Sequence, residues 1–262
     1  RIGGPLQRLR PYAPLIQRVT LGVALLAFAY NGALFGPELP LGEIFGAYVP
    51  WVQGVLYISG ALLILGLYTR VAAAGALVVA LLAIPVYGTY LLTYTAYFVV
   101  VAVNLIMGSG AYSLDARMAQ SGAPDKVRRT FGPYAMPAIR IGFGVSVLAA
   151  ALYAKFFHAQ LALDTVQMYH LTDYFQFDPL FVVLGALIIE SLIGIFFILG
   201  LEIRWTALFL LFWLAMSQLY FGEAVWPHII LIGIPVAFLF YGYDKYSLEG
   251  RFFKRGARDP VL

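Results

Sequence analysis

Glu190-Ser-Leu-Ile-Gly194-Ile-Phe-Phe-Ile-Leu-Gly200-Leu-Glu-Ile-Arg204 is an apolar run that starts on a carboxylate, Glu190, and ends on a Gly-turn-Arg stop that carries a second, Glu202. The chain carries a second version earlier, Leu56-Tyr-Ile-Ser-Gly60-Ala-Leu-Leu-Ile-Leu-Gly66-Leu-Tyr-Thr-Arg70. The copies lie 134 residues apart, and the first has leucine where the second has the acid. A stretch this apolar and this long suits a helix in lipid, because in hydrocarbon only a helix or a closed barrel satisfies its own backbone.

The rest of the sequence agrees. Hydrophobic residues make up 62% of the 262 and charged residues only 11%, less than half of the roughly 25% usual in soluble domains. Eight apolar spans are expected, at roughly 15–35, 48–68, 71–88, 91–108, 138–157, 179–201, 205–221 and 226–242. No segment near Arg1 has the pattern of a cleaved signal peptide. With no cysteine, the chain has no disulfide, no thiolate metal site and no iron–sulfur ligation of its own.

The 134-residue register continues without a gap from Gly60–Arg117 to Gly194–Arg251. Gly66 matches Gly200, Arg70 matches Arg204, Gly88 matches Gly222 and Gly108 matches Gly242. Tyr112-Ser-Leu-Asp-Ala-Arg117 matches Tyr246-Ser-Leu-Glu-Gly-Arg251. Upstream, Arg18-Val-Thr-Leu-Gly22 matches Arg140-Ile-Gly-Phe-Gly144 at an offset of 122, so the loop after the first helix is 12 residues longer in the second half. These matches predict an all-α, polytopic membrane protein of two tandem four-helix bundles, residues 1–113 and 138–262, joined by a linker at 114–137. Four spans per repeat give both halves the same orientation, about an axis along the membrane normal.

Of the 17 lysines and arginines, all but Lys155 fall at the N-terminus, the linker and its flanking helix ends, the two short turns or the C-terminal tail. The opposite loops carry Glu38, Glu43, Asp164, Asp173, Asp178 and Glu223. The positive-inside rule therefore puts both termini and the linker on the cytoplasmic side. The basic balance is a matter of topology and anionic lipid headgroups, and nucleic-acid binding is not expected.

Depth along the helices picks out the candidate chemistry. At 1.5 Å per residue, Glu190 lies about 21 Å above Arg204, Lys155 about 22 Å above Arg140 and His228 about 24 Å above Asp244. All three stand at one level in the outer third of the membrane. Intramembrane charges are costly unless paired or hydrated, which makes them functional candidates by default. The first half has Ala33 and Leu56 where the second has Lys155 and Glu190, and Tyr94 where it has His228. Joint absence in one half and joint presence in the other is the pattern of an ion pair. Such a pair either lines a polar site that handles a quinone or its protons, or locks two helices together. His158, one turn beyond Lys155, joins the list of candidate lining residues. His158, His170 and Glu223 are the candidate metal ligands, although their spacing fits no tight motif. No Walker loop, dinucleotide fingerprint, HExxH pair or covalent haem site is present.

With these residues in place, each half resembles the DoxX-like four-helix membrane proteins, which include the DoxD-type subunit of archaeal thiosulfate:quinone oxidoreductase. The likeness rests on Arg140-x3-Gly144 leading to Lys155, on Glu190-x3-Gly194-x5-Gly200-x3-Arg204, and on Gly242 with Tyr246-Ser-Leu-Glu249. It covers nearly the whole chain as two copies. The resemblance implies a membrane subunit of a redox complex, binding quinone near the outer leaflet and working with other membrane or periplasmic subunits. Two other classes stay open: a non-catalytic anchor or scaffold subunit, and a transporter of protons or small solutes.

Overall fold

The computed structural model describes residues 6, 8–118, 125–174, 176–221 and 224–252. Among them the principal helices are α1 (Ala13–Asn31), α2 (Val49–Leu65), α3 (Thr69–Leu82), α4 (Thr95–Met107), α5 (Asp125–Leu152), α6 (Pro179–Leu199), α7 (Ile203–Phe221) and α8 (Ile229–Tyr241). No strand occurs among the described residues, and one isolated β-bridge, Ala33 to Pro40, closes the loop after α1. Five stretches are long and apolar enough to cross a membrane: Arg10–Asn31, Leu41–Leu65, Thr69–Met107, Lys126–Phe157 and Pro179–Leu199. The apolar helices Ile203–Leu219 and Trp226–Tyr241 are shorter. Ile58, Val71, Phe212 and Leu219 are each more than half exposed. An apolar helix with apolar residues on its outer face is suited to lipid.

Two boundaries differ from the sequence reading. The gap expected near residue 90 is filled by helical winding: α3 runs through a short helix, Ile84–Tyr87, and a 3-10 stretch, Gly88–Tyr94, into α4. Because α3 and α4 pack against each other, the chain turns back inside this helical run. Gly88, at φ +51°, takes a backbone angle that other residues rarely adopt. The second difference lies in the 114–137 linker, which contains a short helix at Leu114–Arg117 and the start of α5. Pro133 and Pro137 sit inside α5 without ending it.

The sequence matches recur as matched contacts. α1 and α2 meet so closely at Gly22 and Gly60 that a Cβ on either would lie 2.7–2.8 Å from the other's carbonyl oxygen. α5 and α6 meet in the same way at Gly144 and Gly194, at 2.6–2.8 Å. Small residues are what allow two membrane helices to approach to this distance. Both α2 and α6 end on a left-handed glycine, Gly66 at φ +66° and Gly200 at φ +71°. The next amide then reaches back in a Schellman closure, Leu67 N to Leu62 O at 2.9 Å and Leu201 N to Phe196 O at 3.0 Å.

Carboxylates cap the helices that follow. Asp115 accepts from the Tyr68 and Thr69 amides and Glu249 from the Ile203 amide, satisfying N-terminal donors that have no partner within their own helix. Tyr12 stacks on Tyr112 at 4.8 Å, and Tyr134 on Tyr246 at 5.2 Å.

Two buried arginines tie the helix ends together. Arg18 donates to the carbonyls of Ser109 and Tyr112, beyond α4. Arg140 donates to the α6 carbonyls of Phe197 and Ile198 and pairs with Asp244 at 3.0 Å, both side chains nearly inaccessible. Gly110 stands where the first half would need a counterpart to Asp244.

Helices also pack across the halves. α4 lies on α5, and α8 on α1. In the first contact Gly142 of α5 receives Val99 of α4; in the second Gly233 of α8 receives Thr20 of α1. These are matched positions with the glycine moved to the other partner.

Candidate functional site

The π-helical turn Tyr153–Phe157, at the end of α5, brings Lys155 to Glu190 of α6. Lys155 Nζ donates to Glu190 Oε2 at 2.7 Å, and each side chain keeps about a fifth of its surface accessible. In the first half α1 ends at Gly32 in a left-handed turn, so no helical backbone carries Ala33 to the corresponding place. A π turn inserts one residue into the helical winding, and such turns are frequent at functional sites.

The pair borders a cavity of about 610 Å³. Its charged and imidazole wall holds Lys155, Glu190, His228 and Glu38. Phenols come from Tyr90, Tyr94, Tyr97, Tyr153 and Tyr169. Phe28, Phe35 and Trp213 add apolar ring surface. Phe35 stacks on Tyr94 at 4.7 Å, and Tyr90 packs on Tyr153 at 4.7 Å, which links the loop before α4 to the end of α5.

His228 lies on the 3-10 turn Trp226–His228 that opens α8, and its Nδ1 is 2.9 Å from the Ala224 carbonyl. A carbonyl only accepts, so Nδ1 carries the hydrogen. Ser146 donates to the Thr93 carbonyl, fixing α5 against the 88–94 stretch at the cavity wall.

The other sequence candidates stand apart. His158 is exposed, with its ring 4.2 Å from that of Tyr153 and its Nδ1 on the Tyr153 carbonyl, and it does not line the cavity. His170 is exposed, at φ +50°. Glu223 lies outside the described residues. Among the described residues, no three His, Asp or Glu side chains come close enough together to hold a metal ion.

The pocket anticipated in the second half alone is built by both halves. Glu38 and Tyr90, Tyr94 and Tyr97 come from the first. Both Tyr90 and Tyr94 donate their hydroxyls to Glu38 Oε1, the former at 3.2 Å. Charges inside single spans do not point to these residues, because Glu38 reaches the cavity from a loop. The signal lay in the match of Tyr94 to His228: equivalent positions in the two halves line one cavity.

The chain matches no protein-family model, no curated protein and no solved structure.

Proposed function

We propose that this chain is an integral membrane subunit of a redox assembly and that it binds a quinone ring in the cavity beside Lys155 and Glu190. The observation that carries the reading is an ion pair, one-fifth accessible, opening onto an aromatic cavity of about 610 Å³. That volume falls within the range of about 300–1,000 Å³ typical of small-molecule sites with few, convergent polar groups. A helix-locking pair would have no need of such a space beside it. Lys155 has three N–H donors and uses one on Glu190, which leaves donors for a quinone carbonyl. The tyrosine and phenylalanine rings offer faces and edges against which a flat ring packs.

Reduction of a quinone to a quinol consumes two electrons and two protons. The electrons would come from a redox group of a membrane or periplasmic partner subunit. This chain holds and orients the ring.

The same reading takes the halves as tandem four-helix repeats in parallel orientation, crossing a prokaryotic inner membrane eight times with both termini cytoplasmic. Three features support the tandem repeats: the matched glycine contacts, the matched carboxylate caps and the turn between α3 and α4. A straight helix over Thr69–Met107 would extend about 58 Å, nearly twice a hydrocarbon core of about 30 Å. Packed as a hairpin, it gives two short crossings.

The test is binding of a short-chain benzoquinone to the full chain in lipid nanodiscs, followed through fluorescence of Trp213 in the cavity wall. The expected result is saturable quenching that weakens at least tenfold in Lys155→Met. Absence of saturable quenching, or equal affinity in Lys155→Met, overturns the proposal.

A further inference from the structure

Glu38 stands apart from the Lys155–Glu190 pair. It comes from the loop between α1 and α2, yet it lines the same cavity. The Tyr90 and Tyr94 hydroxyls both use their hydrogens on its Oε1. Its Oε2 accepts no hydrogen bond, and no cation pairs with it, among the described residues. A carboxylate has about four lone-pair sites, so acceptor capacity is left over. The two phenols, their hydrogens committed, present only oxygen lone pairs. Glu38 and these two phenols therefore form a patch of the cavity wall that accepts hydrogen bonds.

We infer that the cavity selects the reduced, hydroxyl-bearing form of its ligand, the quinol, with Glu38 accepting one ring hydroxyl. The inference rests on the quinone-site reading above. A quinone oxygen is an acceptor only, and set against a carboxylate and two spent phenols it meets no donor there. A quinol hydroxyl donates to the carboxylate in a charge-assisted bond. Lys155 does not discriminate, because its N–H groups serve a carbonyl oxygen and a hydroxyl oxygen alike. Selection thus falls to Glu38, a residue of the half that lacks the ion pair.

The experiment measures the affinities of a short-chain benzoquinone and of its hydroquinone for the full chain in nanodiscs, without oxygen, by Trp fluorescence. The quinol is expected to bind roughly tenfold tighter, the scale of one hydrogen bond to a charged group. Equivalently, the bound couple is easier to reduce than the free one by about 30 mV per tenfold. In Glu38→Gln the side-chain amide has N–H donors for a carbonyl, so the preference falls to near one or reverses. Glu38→Ala, which has neither donor nor acceptor, abolishes the preference as well, and helical circular dichroism shows whether each variant is folded. A wild-type ratio near one or favouring the quinone overturns the inference while leaving the binding site standing. An unchanged ratio in both folded variants also overturns it. Failure of both forms to bind removes the quinone-site reading and this inference together.

Discussion

Removing both members of the Lys155–Glu190 pair should be milder for the fold than removing either one, while ligand binding should not recover. A fully buried ion pair broken on one side costs about 3–5 kcal/mol, because a charge is left without a partner. Here each side chain is about one-fifth accessible and faces a cavity, so solvent recovers part of that cost. The expected penalty is about 1–2 kcal/mol for Lys155→Met and for Glu190→Leu singly. The double variant should be near neutral, giving a coupling of about 2 kcal/mol or more. The first half shows that the frame takes an apolar residue here, since Leu56 occupies the position equivalent to Glu190 and is fully buried. Stability is read from equilibrium unfolding in mixed detergent micelles by circular dichroism. Affinity is read from Trp quenching by a short-chain benzoquinone. Lys155→Met and the double variant should both bind at least tenfold more weakly, about 1.4 kcal/mol. Single costs that simply add in the double variant would refute the pairing energetics. Affinity that returns together with stability would refute the role assigned to Lys155.

Gly144→Val places branched carbon against the Gly194 carbonyl and should cost at least about 2 kcal/mol by the same unfolding assay, whereas Gly185→Ala, with open space around it, should be neutral or slightly stabilising. Asp244→Asn leaves the nearly inaccessible Arg140 guanidinium without its carboxylate and should lower stability by about 3 kcal/mol. Because the chain has no native cysteine, single cysteines report sidedness cleanly. Arg117→Cys should react with a membrane-impermeant thiol reagent only after the membrane is opened, and Gln160→Cys should react in intact cells; the reverse pattern would invert the proposed topology.

What the sequence disclosed about this site depended on where each residue sits in the chain. Lys155 and Glu190 were legible because a charge in an apolar span is conspicuous and because the other half lacks both. The glycine frame was legible because Gly22 and Gly60 recur as Gly144 and Gly194 at the two offsets of the repeat, and the structure gives each a carbonyl neighbour that leaves no room for a Cβ. Glu38 and Tyr90 were not legible, and Tyr94 showed only through its match to His228. Tyrosine is common in this chain, with 18 copies, and an acid in a loop has no depth to mark it. The roles of Asp115 and Glu249 were half legible: their match was plain, but capping requires knowing that the chain after the fourth helix of each half folds back beneath the turn after the second. The winding of residues 84–94 was hidden because the apolar pattern sets two spans apart at 88 and 91, while in the fold Pro85 and Gly88 shape a helical return between them.

The cross-packing of α8 on α1 has a bearing on how the protein is made. The ribosome releases α1 first and α8 last, so the face of α1 around Thr20 waits through nearly the whole of synthesis before Gly233 arrives to receive it. α5 faces no such delay, since its partner α4 is already in place when it emerges. Until the last helix docks, α1 has one flank uncovered. A stop codon before α8 would then do more than shorten the second half: it would strip the oldest helix of a neighbour and leave the cavity without the wall that carries His228.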